Sequence, residues 1–303
     1  MTTFIKEATL FCCLIVVGLC VLYNLPRNPY NYMLEYDVKM KMVENPKFDS
    51  AIILLGGSAT AFGYDSKMLQ DSIGMPVINA GLHAGMGQLL IVDDIIPRLH
   101  KGYIVIYSPE YTSFHYGDNT INNLLTYSKM FDKSCMRLKH WYNVINNVPL
   151  QLKGNVSFLL KKIRGKDEFY IYDLRSFNKY GDVTAHWTMD NKCYHGEQAR
   201  DAATSIDTAY VNKIFAKLQK LNIYYYPASL AESSYSGLKS NIKDIDSILE
   251  INSIPRLCDS HEMIYPDTTF YDTKYHMRRV GAIKRTQHLI SLLKQQGICS
   301  STH

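Results

Sequence analysis

The stretch AIILLGGSATAFGYDS, residues 51–66, decides how the rest of the chain reads. Its apolar opening is too short for a helix and carries no charge, as expected of a strand buried on both faces. Two glycines end the run, Ser58 follows, and Asp65 or Ser66 then opens a helix as N-cap. Taken alone, a serine after glycines is ordinary turn chemistry. At the carboxyl end of a parallel strand it also stands where an α/β enzyme binds its ligand.

Outward from this stretch the same alternation repeats. DSKMLQDSI (65–73) reads as a helix, MPVINAG (75–81) as a strand, GQLLIVDDIIPRLH (87–100) as a helix and GYIVIYSP (102–109) as a strand. Residues at about 115–200 break the rhythm and read as an insertion, helical around MFDKSCMRLKHWYNVINNV and loop-rich from Glu168 to Glu197. The pattern then resumes with a helix at 199–221, the strand NIYYYP (222–227), a helix at 236–250, a short strand near SIPRL (253–257) and a closing helix at 280–296. Short apolar strands alternating with helices predict an α/β fold: a doubly wound parallel sheet with helices on both faces.

The N-terminus has a different character. Residues 8–25, ATLFCCLIVVGLCVLYNL, are uncharged and would span roughly 27 Å as a helix, close to a bilayer core. The run is long for a cleaved signal and no small-x-small site follows it, so residues 1–28 are expected to be an uncleaved anchor. Lys6 is offset by Glu7, and Arg27, Lys39 and Lys41 lie beyond the span, so charge leaves the orientation open. Leu19 precedes Cys20 where a lipobox needs a small residue. Residues 29–49 read as a juxtamembrane connector with a short helix at 32–43, and the α/β domain is expected over 50–300.

Composition narrows the function classes. A net charge of +5 without a dense Lys/Arg block gives no expectation of a nucleic-acid partner. Cys12, Cys13 and Cys20 lie in the apolar helix and read as small hydrophobes. Cys135, Cys193, Cys258 and Cys299 show no disulfide framework. His186, Cys193 and His195 match no zinc spacing, and neither metal nor cofactor is expected. Alternation turns one or two of Tyr224–Tyr226 inward, with Tyr226 a candidate sugar contact. Glu110, after the third strand, reads as a solvated loop residue at the edge of a cleft.

Three motifs fall at loops that can converge. In GGSATAFG the glycines are expected to turn at positive φ and to aim Ser58 outward, its own N–H forming half of an oxyanion hole. In NAG (79–81), Gly81 offers a second N–H. In PDTTFYDTKYHMRRVGAIKRT an acid and a histidine precede the final helix, able to supply a base and its orienting partner. The chain order Ser…Asp…His is one in which such triads occur.

These blocks resemble the SGNH (GDSL-like) hydrolases, and more narrowly the membrane-tethered members linked to acylation of cell-surface polysaccharides. LLGGSATAFGYDS is similar to the family's first block, VINAGLHAG to its second and FYDTKYHMRRVGAIKRT to its last; FNKYGD (177–182) resembles a further piece to which no chemistry is assigned. The resemblance spans roughly residues 50–296. It implies a three-layer, flavodoxin-like α/β/α fold, Ser58 as nucleophile, His276 as base, Asp272 as its partner, and Ser58 and Gly81 as oxyanion donors. Two departures stand out. The family's Asp-x-x-His is here a four-residue step, which shares a face if helical; if it is an extended turn, Asp267 becomes a rival partner. The family's Gly-x-Asn-Asp block has no counterpart in YSPEYTSF, which leaves a two-donor hole or a substitute such as Tyr111 or Asn119.

The resemblance implies a serine esterase or O-acyltransferase acting on O-acyl, chiefly acetyl, esters of a surface or exported glycan. It would be membrane-anchored, with its catalytic domain extracytoplasmic, and could work beside a membrane-bound acyltransferase. The alternative is a non-catalytic SGNH-fold protein that binds glycan or scaffolds such an acyltransferase.

Overall fold

In the computed structural model β1 (Ser50–Leu55) lies between β2 (Val77–Asn79) and β3 (Gly102–Tyr107), and β4 (Ile223–Tyr225) completes a parallel sheet of order β2-β1-β3-β4. The residues described are 2–23, 28–45, 47–115, 138–166, 169–189, 193–196 and 206–299. Asn119, Cys135 and the start of the helix expected at 199–221 lie outside them. The strand expected at 253–257 is reduced to a single parallel bridge, Tyr225 with Arg256, on the outer edge of β4. Pro255 lacks an N–H for a longer ladder.

The period-2 rule divides β1 between two cores. Ala51, Ile53 and Leu55 face the larger one, shared with α2 (Glu35–Val43), α5 (Gln88–Ile95), α7 (Thr208–Leu218) and α8 (Glu232–Ile251). Ile52 and Leu54 face α4 (Ser66–Ile73) and α9 (Arg279–Gln295). Helices therefore cover both faces. Leu54, Leu55, Ile52 and Ile53 are fully buried, and each such side chain contributes roughly 1.5–3 kcal/mol. Asp65 is the N-cap of α4, accepting the Met68 N–H, and Gly74 closes that helix at φ 77°.

Residues 29–49 are more than a connector. Tyr32, Met33, Tyr36, Met40 and Val43 belong to the larger core, so the segment after the apolar helix is part of the domain. That first helix, α1 (Thr2–Tyr23), contains a span, Thr3–Val21, of mean hydropathy 2.2, long and apolar enough to cross a membrane. Within the expected insertion the described residues include a second long helix, α6 (Leu138–Ile163). A small parallel pair, β5 (Leu230–Ala231) with β6 (Ile264–Tyr265), leads toward the segment that precedes α9.

The register aligns the carboxyl ends of the strands: Leu54 pairs with Asn79, Leu55 with Tyr107, and Tyr107 with Tyr225. The loops carrying Ser58, Gly81 and Glu110 thus leave the sheet at one edge. Chain order reverses between β1 and β3, the crevice where open α/β sheets bind ligands.

Candidate active site

Ser58 opens α3, a single turn over Ser58–Ala61, with Gly57 as N-cap at φ −91°. Neither glycine adopts the positive φ expected from the sequence. What they provide is space. A Cβ on Gly56 would lie 2.5 Å from the Ser108 carbonyl oxygen, and one on Gly57 would lie 1.9 Å from Glu110 Oε2. The third strand's loop packs directly on the backbone that presents Ser58.

His276 Nε2 is 2.9 Å from Ser58 Oγ, and its Nδ1 is 2.8 Å from Asp272 Oδ1. A carboxylate only accepts, so Nδ1 carries the hydrogen and the Nε2 lone pair faces the Ser58 hydroxyl. The four-residue step is not helical. Phe270 and Met277 pair antiparallel, Tyr271 N–H donates to the His276 carbonyl at 2.7 Å, and Thr273 Oγ1 accepts the His276 N–H. This closed turn places Asp272 beside His276, and α9 begins only at Arg279. The rival, Asp267, instead accepts the Ser233 N–H at 3.0 Å, capping α8. The Phe62 ring stacks on His276 at 4.0 Å and 10°, holding the imidazole plane.

Burial by itself would raise the Asp272 carboxyl. The hydrogen bond and charge of His276, with the Tyr172 hydroxyl, hold it below its ordinary range. Tyr172 donates to Asp272 Oδ2 at 2.7 Å and lies 3.2 Å from His276 Nδ1. Nothing local in the sequence marked it, because its segment lies outside all three motifs.

Gly81 departs from expectation. Its N–H donates to Asn79 Oδ1 at 3.0 Å, and Lys39 Nζ donates to its carbonyl. A Cβ there would lie 2.5 Å from Ala61 N, so the glycine lets the second loop press on α3. Asn79 is fixed in turn, donating to Thr60 O and Asp182 Oδ1. Asp182 also accepts from Ser66 N and Oγ and from Asn178 Nδ2. Asp182 of the FNKYGD piece is thus a buried clasp tying β2 to α4. The Ser58 N–H has no hydrogen-bond partner among the described residues and is the donor left open.

Glu110 corrects a second expectation. It is 1% exposed rather than solvated, and Oε1 accepts the Ala59 N–H at 2.6 Å and the Ser58 hydroxyl at 3.1 Å. Tyr111, one candidate for the missing donor, is buried in the larger core. Tyr226 is fully buried and donates its hydroxyl to Arg285 O, which removes it as a sugar contact. Arg285, itself fully buried, donates to Ala59 O, Ser108 Oγ and Pro227 O and lies over the Tyr64 ring, tying three strand-end loops together.

His186 and Cys193 do not converge on a metal. His186 Nε2 is 2.7 Å from Met277 O, and Cys193 Sγ contacts the Tyr194 and Asp267 carbonyls. Among the described residues no three His, Cys, Asp or Glu side chains form a candidate metal cluster. The chain matches no family model and no curated protein.

Proposed function

We propose that this chain is a membrane-anchored, SGNH-like serine esterase or O-acyltransferase acting on O-acyl, chiefly acetyl, esters of a cell-surface or exported glycan. The observation that carries the reading is the continuous hydrogen-bonded line from Ser58 through His276 to Asp272. The strand order, extended by the Arg256 bridge, is compatible with a flavodoxin-like sheet.

Ser58 Oγ attacks the acyl carbonyl and its proton passes to His276 Nε2; Asp272 steadies the imidazolium. Collapse of the tetrahedral intermediate breaks the bond to the glycan oxygen, which takes the proton from Nε2 and leaves the acyl group on Ser58. Water or a second sugar hydroxyl then attacks that ester and gives its proton to Nε2, which returns it to Ser58. The Ser58 N–H faces the oxyanion; one such donor is typically worth about 10²–10³ in rate.

The test is fluorophosphonate labelling, followed by turnover of acetylated against unacetylated glycan. Labelling lost in Ser58→Ala but kept in Ser108→Ala supports the reading. Folded wild-type protein that never labels sinks it. One observation favours the non-catalytic alternative: the N–H groups of Gly81 and Ala59 are already occupied by Asn79 and Glu110. That alternative expects Ser58→Ala and wild type to bind glycan equally, without turnover by either.

A further inference from the structure

Glu110 sits in the crevice between β1 and β3 with its carboxylate almost wholly out of water. Oε1 accepts the Ala59 N–H at 2.6 Å and the Ser58 hydroxyl at 3.1 Å, and Oε2 accepts the Ser113 hydroxyl at 3.0 Å. Among the described residues no Lys or Arg pairs with it. A buried carboxylate held only by neutral donors is costly to the fold, so its retention against a reactive side chain needs a reason.

Proton counting supplies one. The Ser58 hydroxyl has a single hydrogen and two acceptors, His276 Nε2 at 2.9 Å and Glu110 Oε1 at 3.1 Å. When His276 takes that hydrogen, the imidazolium has Asp272 beside Nδ1 and Glu110 across the serine oxygen on the Nε2 side. The other titratable groups facing it are Tyr172, His83 and His186. Burial, with the Asp272 hydrogen bond, holds the Tyr172 phenol above its usual range, and burial holds both imidazoles below theirs. These three are therefore neutral near pH 7, which leaves two carboxylates as the charges that flank the base.

We propose that Glu110 is a further functional member of the site: it anchors the Ser58 hydroxyl and the first turn of α3, and its negative charge stabilises the His276 imidazolium during acyl transfer. The proposal rests on the reading of Ser58 as nucleophile. The step balances: the Ser58 O–H bond breaks, the new N–H bond forms at Nε2, and Glu110 neither gains nor loses a proton.

The experiment measures fluorophosphonate labelling rate against pH for the full chain in detergent micelles. Glu110→Gln keeps an acceptor at Oε1 and offers its amide to Ser113, so it removes charge with little change of shape. Loss of an anion at this range is expected to lower the midpoint of the acidic limb by about one pH unit and the plateau rate about 10-fold. Glu110→Asp, which keeps the charge on a shorter stem, is expected to lose rate with its midpoint unmoved. Ser113→Ala is likewise expected to keep the wild-type midpoint.

A Glu110→Gln profile identical to wild type overturns the proposal. So does a slower rate with an unmoved midpoint, which leaves only a structural role, or a Glu110→Asp midpoint that falls as far as that of Glu110→Gln. Labelling that persists in Ser58→Ala defeats the nucleophile reading itself. Labelling lost in Ser58→Ala with Glu110→Gln unchanged defeats only the role of Glu110.

Discussion

Tyr172 donates its hydroxyl to Asp272 Oδ2 at 2.7 Å while lying 3.2 Å from His276 Nδ1, so a residue from outside the three motifs closes the acid–base pair. Tyr172→Phe keeps the ring beside Phe62 and Tyr32 and removes only the donor. A hydrogen bond to a charged group is worth roughly 1.5–3 kcal/mol. Part of that reaches the reaction, and the expected loss in labelling rate is about 10-fold, read at the pH plateau.

Asp272 and Asp267 separate by consequence. Asp272→Asn offers His276 an amide in place of an obligate acceptor, which upsets the tautomer, and is expected to lower the rate by roughly 10³–10⁴. Asp267→Asn keeps an acceptor for the Ser233 N–H but removes the negative charge at the start of α8, and is expected to cost roughly 0.3–1 kcal/mol of stability with little effect on rate. Thermal melts paired with labelling distinguish the two; a large rate loss in Asp267→Asn would reverse the assignment.

Gly57→Ala tests space rather than backbone conformation. The backbone angle at Gly57 is open to alanine, but the added methyl meets Glu110 Oε2 at 1.9 Å. The carboxylate or α3 must move, at an expected cost of about 1–3 kcal/mol. In Gly57→Ala/Glu110→Ala the methyl has room, so the destabilisation should be clearly less than the sum of the two single variants.

His186 makes a pH prediction. It is 3% exposed, its Nε2–H donates to Met277 O, and burial pushes its imidazole down to about 4. Protonation would add a second N–H at Nδ1, a buried atom with no partner. Because the folded value is depressed, the stabilisation is complete above the ordinary imidazole range near 6.5 and is lost as pH falls toward about 4. The full effect is of order 3 kcal/mol. Melting temperature followed between pH 7 and about 4 should fall less steeply in His186→Asn than in wild type.

Much of the fold was legible in the chain because periodicity and punctuation are local properties. Apolar runs such as AIILL and GYIVIY are too short for helices and end in turn residues, and Asp65 and Gly74 mark the ends of α4 as caps should. The apolar N-terminal run was legible for the same reason. The strand expected at 253–257 shortens to one bridge, since five residues of suitable pattern do not reveal that Pro255 and the sheet edge limit its pairing.

Residue pattern alone points to an α/β chain with a parallel sheet, to an N-terminal helix apolar enough to span a membrane, and to Ser58, Asp272 and His276. How those three meet, through a closed turn rather than a helix face, emerges from contacts across the fold. Tertiary packing also brings Tyr172 to the acid–base pair and buries Glu110 against the serine. Local pattern records what each residue needs from its neighbours in the chain, whereas hydrogen bonds between residues 52 to 218 positions apart depend on strand register and loop packing.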